Sequence, residues 1–377
     1  MRVFLPFFYI KINAETKNKA KKTKKYGRIE LEIGKGVRIL RIALDAMGGD
    51  YAPLETVKGA VEAIGENKNI RVILVGKEEL IKEELLKYSY DKERIEIKNA
   101  TEVIEMDEKT SPTVAVRAKK DASMNVALEM VKSGEATACI SAGNTGALMT
   151  ASQLKLKRIK GVLRPAITTV FPANDNKHIV LLDAGANADC KPEYLDQFAT
   201  MANEYAKVLL NIKSPRIGLL NIGEEDGKGN ELTKSAFYLL KENKNIDFYG
   251  NIETREMTNG LVDVVVTDGF TGNIVLKTAE GTVHFMKNII KDGVKKSLLA
   301  KIGALLMSSV FKEMKRQSDS SEYGGALFMG LNGISIKAHG NSDSKAIKNA
   351  ILVGNKFAEN NFVESLKKVI GGKNENS

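Results

Sequence analysis

Two short loops in this chain share one grammar. Residues 141–146 read SAGNTG and residues 267–272 read TDGFTG, so both fit Ser/Thr-x-Gly-x-Thr-Gly. Glycines let the backbone turn tightly and come close to a ligand, while a following helix offers unpaired N–H groups at the positive end of its dipole. An anion, or an oxygen that becomes one, suits such a turn. An ordinary strand-to-helix connection has the same look, and it is the pairing that favours a shared site. The candidates are Ser141, Gly143, Asn144, Thr145 and Gly146 in the first loop, and Asp268, Gly269, Thr271 and Gly272, followed by Asn273, in the second.

Other polar loops repeat the theme: DAMGGD at 45–50, with Asp45, Gly48 and Gly49; DAGANADCKPE at 183–193, with Asp183 and Asn187; NIGEEDGKGNE at 221–231, with Asn221, Lys228 and Asn230; and AHGNSD at 338–343, with His339. Cations stand near these ends at Arg164, Lys191, Lys228 and Lys277. Backbone donors, amides and a few cations suit a phosphate and a developing oxyanion. Nothing matches GxxxxGK[ST], and no GxGxxG follows a strand with an acidic residue about twenty positions on, so NTPase and dinucleotide readings are weak. Without a GxSxG elbow or an implied histidine partner for Ser141, serine acyl-enzyme chemistry lacks support. His178, His284 and His339 are scattered without metal-ligand spacing, so neither a metal nor another cofactor is expected. Cys139 and Cys190 form no CxxC pair, which points to a reduced cytoplasm.

The elements that must position these residues alternate. Apolar runs predict strands at Arg41–Leu44, Ile70–Val75, Arg94–Lys98, Ala136–Ile140, after Arg164-Pro165, His178–Leu182, Arg216–Asn221, Asp247–Tyr249, Val262–Val266 and Ile334–Lys337. Between them fall helices, the first carrying Leu54, Val57, Val61 and Ile64 at steps of three and four. Residues 250–253 (GNIE) read as a loop, 321–333 as glycine-rich and irregular, and the end as one helix to about Val369. This is a mostly parallel α/β fold, in which ligands bind at the carboxyl ends of the strands. The two related loops suggest two lobes facing one cleft.

With 377 residues, 43% hydrophobic and 28% charged, the chain has the composition of a soluble globular protein, and no stretch reaches transmembrane length. Its formal charge of +10 sits mostly in residues 1–36, which hold 10 Lys/Arg against 3 Asp/Glu. The lysine-rich run Lys17–Lys25 reads as a solvated, disordered arm rather than a nucleic-acid site, so no nucleic-acid partner is expected. Gly34-Lys35-Gly36 would also fit a mis-assigned start, with the true one near Val37. A single α/β domain is expected over 37–372, with an amphipathic helical insertion at about 292–318 and a disordered tail at 373–377.

IALDAMGGDYAP, ISAGNTGALM, RIKGVLRPA, LLDAGAN, LLNIGEEDGKGNELTK, VDVVVTDGFTGN and IKAHGNSDS together resemble the PlsX family of bacterial phosphate acyltransferases, from about Ile39 to the terminal helix. The resemblance implies transfer of a fatty acyl group from acyl carrier protein to inorganic phosphate, giving acyl phosphate for phospholipid synthesis. It also implies a homodimer with a fold related to phosphotransacetylases and isopropylmalate dehydrogenases. Phosphate is largely dianionic near neutral pH and a thiolate leaves readily, so positioning and charge stabilisation suffice. Lys191, His339, Asn144 and Asp268 are then the catalytic candidates. Lys191 serves as a phosphate contact or as a mere charge at a helix start. Asp183 and Asp268 repel phosphate unless each orients a lysine or caps a helix. His339 is a proton donor to the departing thiol or a fixture of its glycine turn, and Asn144, Asn187, Asn221 and Asn230 are donors or turn residues. A short-chain phosphotransacylase using acyl-coenzyme A, and a non-catalytic interaction module, are the competing readings.

One stretch stands apart from this chemistry. Over Val294–Lys315, Leu299, Ile302, Leu306, Val310 and Met314 recur at steps of three and four, and Ile302–Phe311 holds no charge. Ten residues cannot span a bilayer. Flanked by lysines, they fit either an apolar tip dipping into the cytoplasmic face of an anionic membrane, close to a membrane glycerol-3-phosphate acyltransferase that would consume the product, or a core or dimer helix.

Overall fold

Alternating apolar runs and polar turns assemble into one eleven-stranded sheet in the computed structural model, which describes residues 39–317 and 324–374. The basic stretch 1–36 lies outside the described residues. The amino-terminal half contributes β1 (Leu40–Asp45), α1 (Leu54–Glu66), β2 (Ile70–Gly76), α2 (Glu78–Leu85), β3 (Ile95–Asn99), α3 (Pro112–Ala118), α4 (Ser123–Ser133), β4 (Ala138–Ser141) and α5 (Thr145–Leu156). Next come β5 (Ala166–Pro172), β6 (His178–Leu182), α6 (Pro192–Leu209), β7 (Arg216–Asn221), α7 (Glu231–Glu242), β8 (Asp247–Glu253) and β9 (Val264–Val266). The chain closes with α8 (Gly269–Lys295), α9 (Leu298–Leu306), α10 (Ser308–Gln317), β10 (Ala326–Met329), β11 (Ile334–Lys337), α11 (Ser344–Glu359) and α12 (Phe362–Asn374).

Strand order is β3-β2-β1-β4-β11-β10-β5-β6-β9-β7-β8. The first five strands are parallel, as are the last four, and β10 and β5 pair antiparallel with every neighbour. Strands such as β4 and β9 are buried throughout, the pattern of sheets covered on both faces. Around Tyr205, Phe357 and Phe362, with ring centroids 4.8–6.5 Å apart, the last two helices dock on α6.

Five expectations need correcting. Residues 321–333, expected to be irregular, contain β10, because Gly324, Gly325 and Gly330, all with positive φ, bracket a four-residue apolar strand and mask it. GNIE is the second half of β8, which continues past a register shift opposite Ile217/Gly218. The buried face of α1 is Thr56, Val57, Gly59, Ala60, Ala63 and Ile64, while Leu54 is 45% exposed, since close approach to α11 selects small residues. The helix expected at Val294–Lys315 is broken at Ser297, whose hydroxyl caps α9 by accepting from Ala300 N, and again at Met307. The terminal helix divides at Asn360-Asn361, and α12 runs through the first two residues of the tail expected from 373.

No helix among the described residues is long and apolar enough to cross a membrane. Yet α8 buries only Gly269 and Gly272, and α9 buries nothing, with Leu299 82% and Leu306 80% exposed.

Candidate active site

The carboxyl ends of β1, β4 and β11 lie side by side and carry three of the polar loops. At their centre Asp45 is buried. Ser123 Oγ donates to its Oδ1 and Ser141 Oγ to its Oδ2, each at 2.6 Å, and Met47 N adds a 3.2 Å bond. Burial pushes the Asp45 carboxyl above its ordinary range, and these hydrogen bonds pull it back. Ser141 Oγ also accepts from Gly143 N at 3.0 Å, so its hydroxyl holds a turn. Gly48 is required here, because a Cβ would fall 2.5 Å from Asp45 Oδ2. Gly49 lies under the same turn, and Asp50 N donates to Gly340 O at 2.8 Å, tying DAMGGD to AHGNSD.

Asn144 caps α5. Its Oδ1 accepts from Ala147 N at 3.0 Å and its Nδ2 donates to Met106 O at 3.0 Å. Thr145 and Gly146, next in the chain, are exposed, and their amides have no partner among the described residues. These are free donors at a helix start, the feature an anion needs.

The second signature loop is built differently. Asp268 caps α8, accepting from Thr271 N and Thr271 Oγ1 at 2.8 Å each. Gly269 N donates to Asn187 O at 2.7 Å, so most donors of TDGFTG are already taken. Asp183, buried beneath it, accepts from the amides of Ile167, Gly185, Ala186 and Asn187 and from Asn187 Nδ2, at 2.8–3.1 Å. Burial raises the Asp183 carboxyl and these bonds oppose the rise. Both aspartates organise backbone; neither orients a lysine. Gly272 sits where a Cβ would meet Asp183 O at 1.9 Å, so no other residue fits without moving the chain, and Asn273 lies beside Gly185.

A third knot joins Asn221, whose Nδ2 donates to Lys228 O and Asn251 Oδ1 at 3.0 Å each, while Asn230 caps α7 through Thr233 N. Of the cations, Lys228 pairs loosely with Glu225 and Lys277 with Glu280, and the Arg164 guanidinium lies over Tyr194 at 5.8 Å from the ring centroid. Lys191 is exposed at the start of α6; its carbonyl accepts from Tyr194 N at 2.9 Å, and its ammonium has no partner among the described residues. His339 is exposed, its Nδ1 3.4 Å from Asn341 N.

Sequence reasoning overlooks Ser123, Asn251 and Lys337. Lys337 ends β11 and is buried, its ammonium donating to Ala142 O and Ala338 O. Nothing local marks it, because the groups around it come from other strands and loops. Both thiols are pushed up, Cys139 well above the usual range by full burial and Cys190 to about 11, chiefly by burial.

Residues 40–365 match the family described as fatty acid synthesis protein. A phosphate acyltransferase of Fusobacterium nucleatum is 58% identical over 331 residues, covering 88% of this chain and 99% of that one. One from Clostridium perfringens (strain SM101) is 48% identical over 331 residues, with 88% and 97% covered. Among solved structures, a phosphotransacetylase from Streptococcus pyogenes shares the fold at TM-score 0.57 and 18% identity, covering 85% of this chain and 94% of that one. A branched-chain phosphotransacylase from Enterococcus faecalis does so at 0.53 and 12%, covering 85% and 99%. With its loop motifs, its sheet and these identities, the chain belongs to the phosphate acyltransferase family and is an acyltransferase.

Proposed function

We propose that the protein transfers a long-chain fatty acyl group from acyl carrier protein to inorganic phosphate, forming an acyl phosphate for phospholipid synthesis. The observation that carries the phosphate half is the start of α5, where Thr145 and Gly146 are exposed and their amides have no partner among the described residues, beside the Asp45–Ser141 turn. A phosphate oxygen attacks the thioester carbonyl carbon, the carbonyl oxygen becomes an oxyanion, and the C–S bond breaks to release the carrier thiolate, which then takes a proton. Holding the two reactants together contributes up to about 7–11 kcal/mol in ideal cases. Lys191 supplies charge to phosphate, His339 the proton, and Asn144 and Asp268 fix the two helix starts. Direct attack is favoured because both thiols are held protonated near neutral pH and Ser141 Oγ is committed to Asp45.

Membership of a family described by fatty acid synthesis favours a fatty acyl donor. The exposed apolar side chains of α8, among them Phe270, Phe285 and Ile289, fit coverage by a second copy in a homodimer, and those of α9 fit reversible contact with the inner face of the membrane. There the product would meet a membrane glycerol-3-phosphate acyltransferase. The test is phosphate-dependent release of free carrier from palmitoyl-carrier by the purified protein. Faster turnover with short acyl-coenzyme A would replace this reading with that of a short-chain phosphotransacylase.

A further inference from the structure

Lys337 has no part in the roles assigned above, yet its surroundings are specific. It is 8% exposed, ends β11 in register with Ser141 of β4, and donates to Ala142 O at 3.3 Å and to Ala338 O. Ala142 lies between Ser141, which Asp45 holds, and Gly143, whose amide donates to the Ser141 hydroxyl. The SAGNTG turn is therefore gripped by a carboxylate on one residue and an ammonium on the next. Two and three residues beyond Gly143 come the amides of Thr145 and Gly146, without a partner among the described residues.

We propose that Lys337 is a positioning residue for phosphate: its ammonium binds the SAGNTG and AHGNSD loops together and sets a positive charge beside the turn that leads to the open amides. This rests on phosphate binding at the start of α5. Simple packing does not account for a lysine here, because a buried ammonium is costly unless its charge is used or paired. The charged groups acting on it are Asp45 on β1 and Asp50 in the following loop; the Cys139 thiol on β4 feels Asp45, and His339, two positions on, is exposed with its Nδ1 near Asn341 N.

Burial lowers the Lys337 amine from its ordinary 10.5 to about 8, with Asp45 and Asp50 pulling the other way. The charge is present below about pH 8 and lost above it. Because the unfolded chain keeps this proton to higher pH, stability rises as pH passes from about 8 towards the unfolded value, while the positioning charge disappears. Activity and stability thus move in opposite directions.

The experiment measures phosphate kinetics from pH 6 to 10, with any accepted thioester, alongside thermal unfolding, for the full chain and its Lys337→Met and Lys337→Arg variants. In the parent, kcat/KM for phosphate should fall above about pH 8. Lys337→Met should lose about 10²-fold at pH 7, the scale of one preorganised donor, lack that alkaline limb, and unfold at an equal or higher temperature. Lys337→Arg should recover part of the rate and move the limb to higher pH. Parental phosphate kinetics in Lys337→Met, a flat parental profile, or a loss that tracks a lowered unfolding temperature and is not recovered by arginine overturns the proposal. If Lys337→Met fails to fold, Lys337→Arg decides, and a limb at the parental pH overturns it. A misplaced phosphate site is a separate result, in which Lys337→Met alters the phosphate KM and Asn144→Ala does not.

Discussion

Asp45 and Ser141, 96 positions apart in the chain, share a 2.6 Å hydrogen bond that fastens the end of β1 to the end of β4. A hydroxyl donating to a carboxylate at this length is charge-assisted and strong. Ser141→Ala removes it and strips Gly143 N of its acceptor. The expected cost is about 1.5–3 kcal/mol in urea unfolding. Turnover should fall yet persist, since the hydroxyl attacks nothing; an acyl group trapped on Ser141 would contradict this.

Lys191 and Asn144 should fail differently. Lys191→Ala is expected to lower turnover by about 10²–10³ with no change in unfolding, because its ammonium is exposed and unpaired among the described residues. Asn144→Ala should cost about 0.5–2 kcal/mol through the lost cap and raise the phosphate KM. Parental rates at every phosphate concentration in both variants would place the site elsewhere.

Asp183→Asn tests how far a carboxylate is needed beneath the second loop. Four backbone amides and Asn187 Nδ2 converge on its two oxygens, and an amide offers only one acceptor while adding two competing donors. Each stranded donor costs about 1–3 kcal/mol. The variant should therefore unfold at clearly lower denaturant, and a midpoint within error of the parent would refute the assignment.

Neither thiol should matter to the chemistry. Replacing Cys190 by alanine, or treating the protein with a chelator, is expected to leave phosphate-dependent turnover within about twofold, since a thiol held near 11 is barely ionised at neutral pH. Loss of activity on mild alkylation of the parent, reproduced by Cys190→Ala, would overturn direct attack.

Leu306→Glu places a charge on the exposed face of α9. Sedimentation with anionic vesicles should weaken with salt in the parent and vanish in the variant, while the proposed dimer should persist in ultracentrifugation. Unchanged sedimentation, or dissociation into monomers, would assign the helix to an interface between copies instead.

Much of the fold was legible because its strands are short apolar runs cut off by Gly, Asn and Asp. The bounds of β6, β7 and β11 agree with the sequence reading residue for residue. Gly218 inside β7 does no harm, but where a glycine takes a positive φ the signal fails, as at Gly250 in β8 and at Gly324, Gly325 and Gly330 around β10. Of the candidate site, the caps Asn144 and Asp268 could be read locally, since their partners lie three residues on. Lys337 could not, because its neighbours come from distant strands, and one lysine among 57 basic residues carries no mark of burial.

Strand β10 gives the sheet a weak line across its middle. It meets β11 through two register pairs and β5 through two, against six for β1–β2 and for β7–β8. One side chain reinforces the line: Thr168 Oγ1 both donates to Leu327 O and accepts from Leu327 N, at 3.1 Å each. Amide exchange at Leu327 and Phe328 should accordingly outpace that at Val72 or Leu219, and Thr168→Val should widen the gap; equal protection would show the ladder to be uniform. The two parallel blocks, each with its own set of polar loops, thus meet at a hinge-like joint only four residues long. Lys337 pairs with Ala326 across that joint, so the joint borders the strand that carries the buried ammonium.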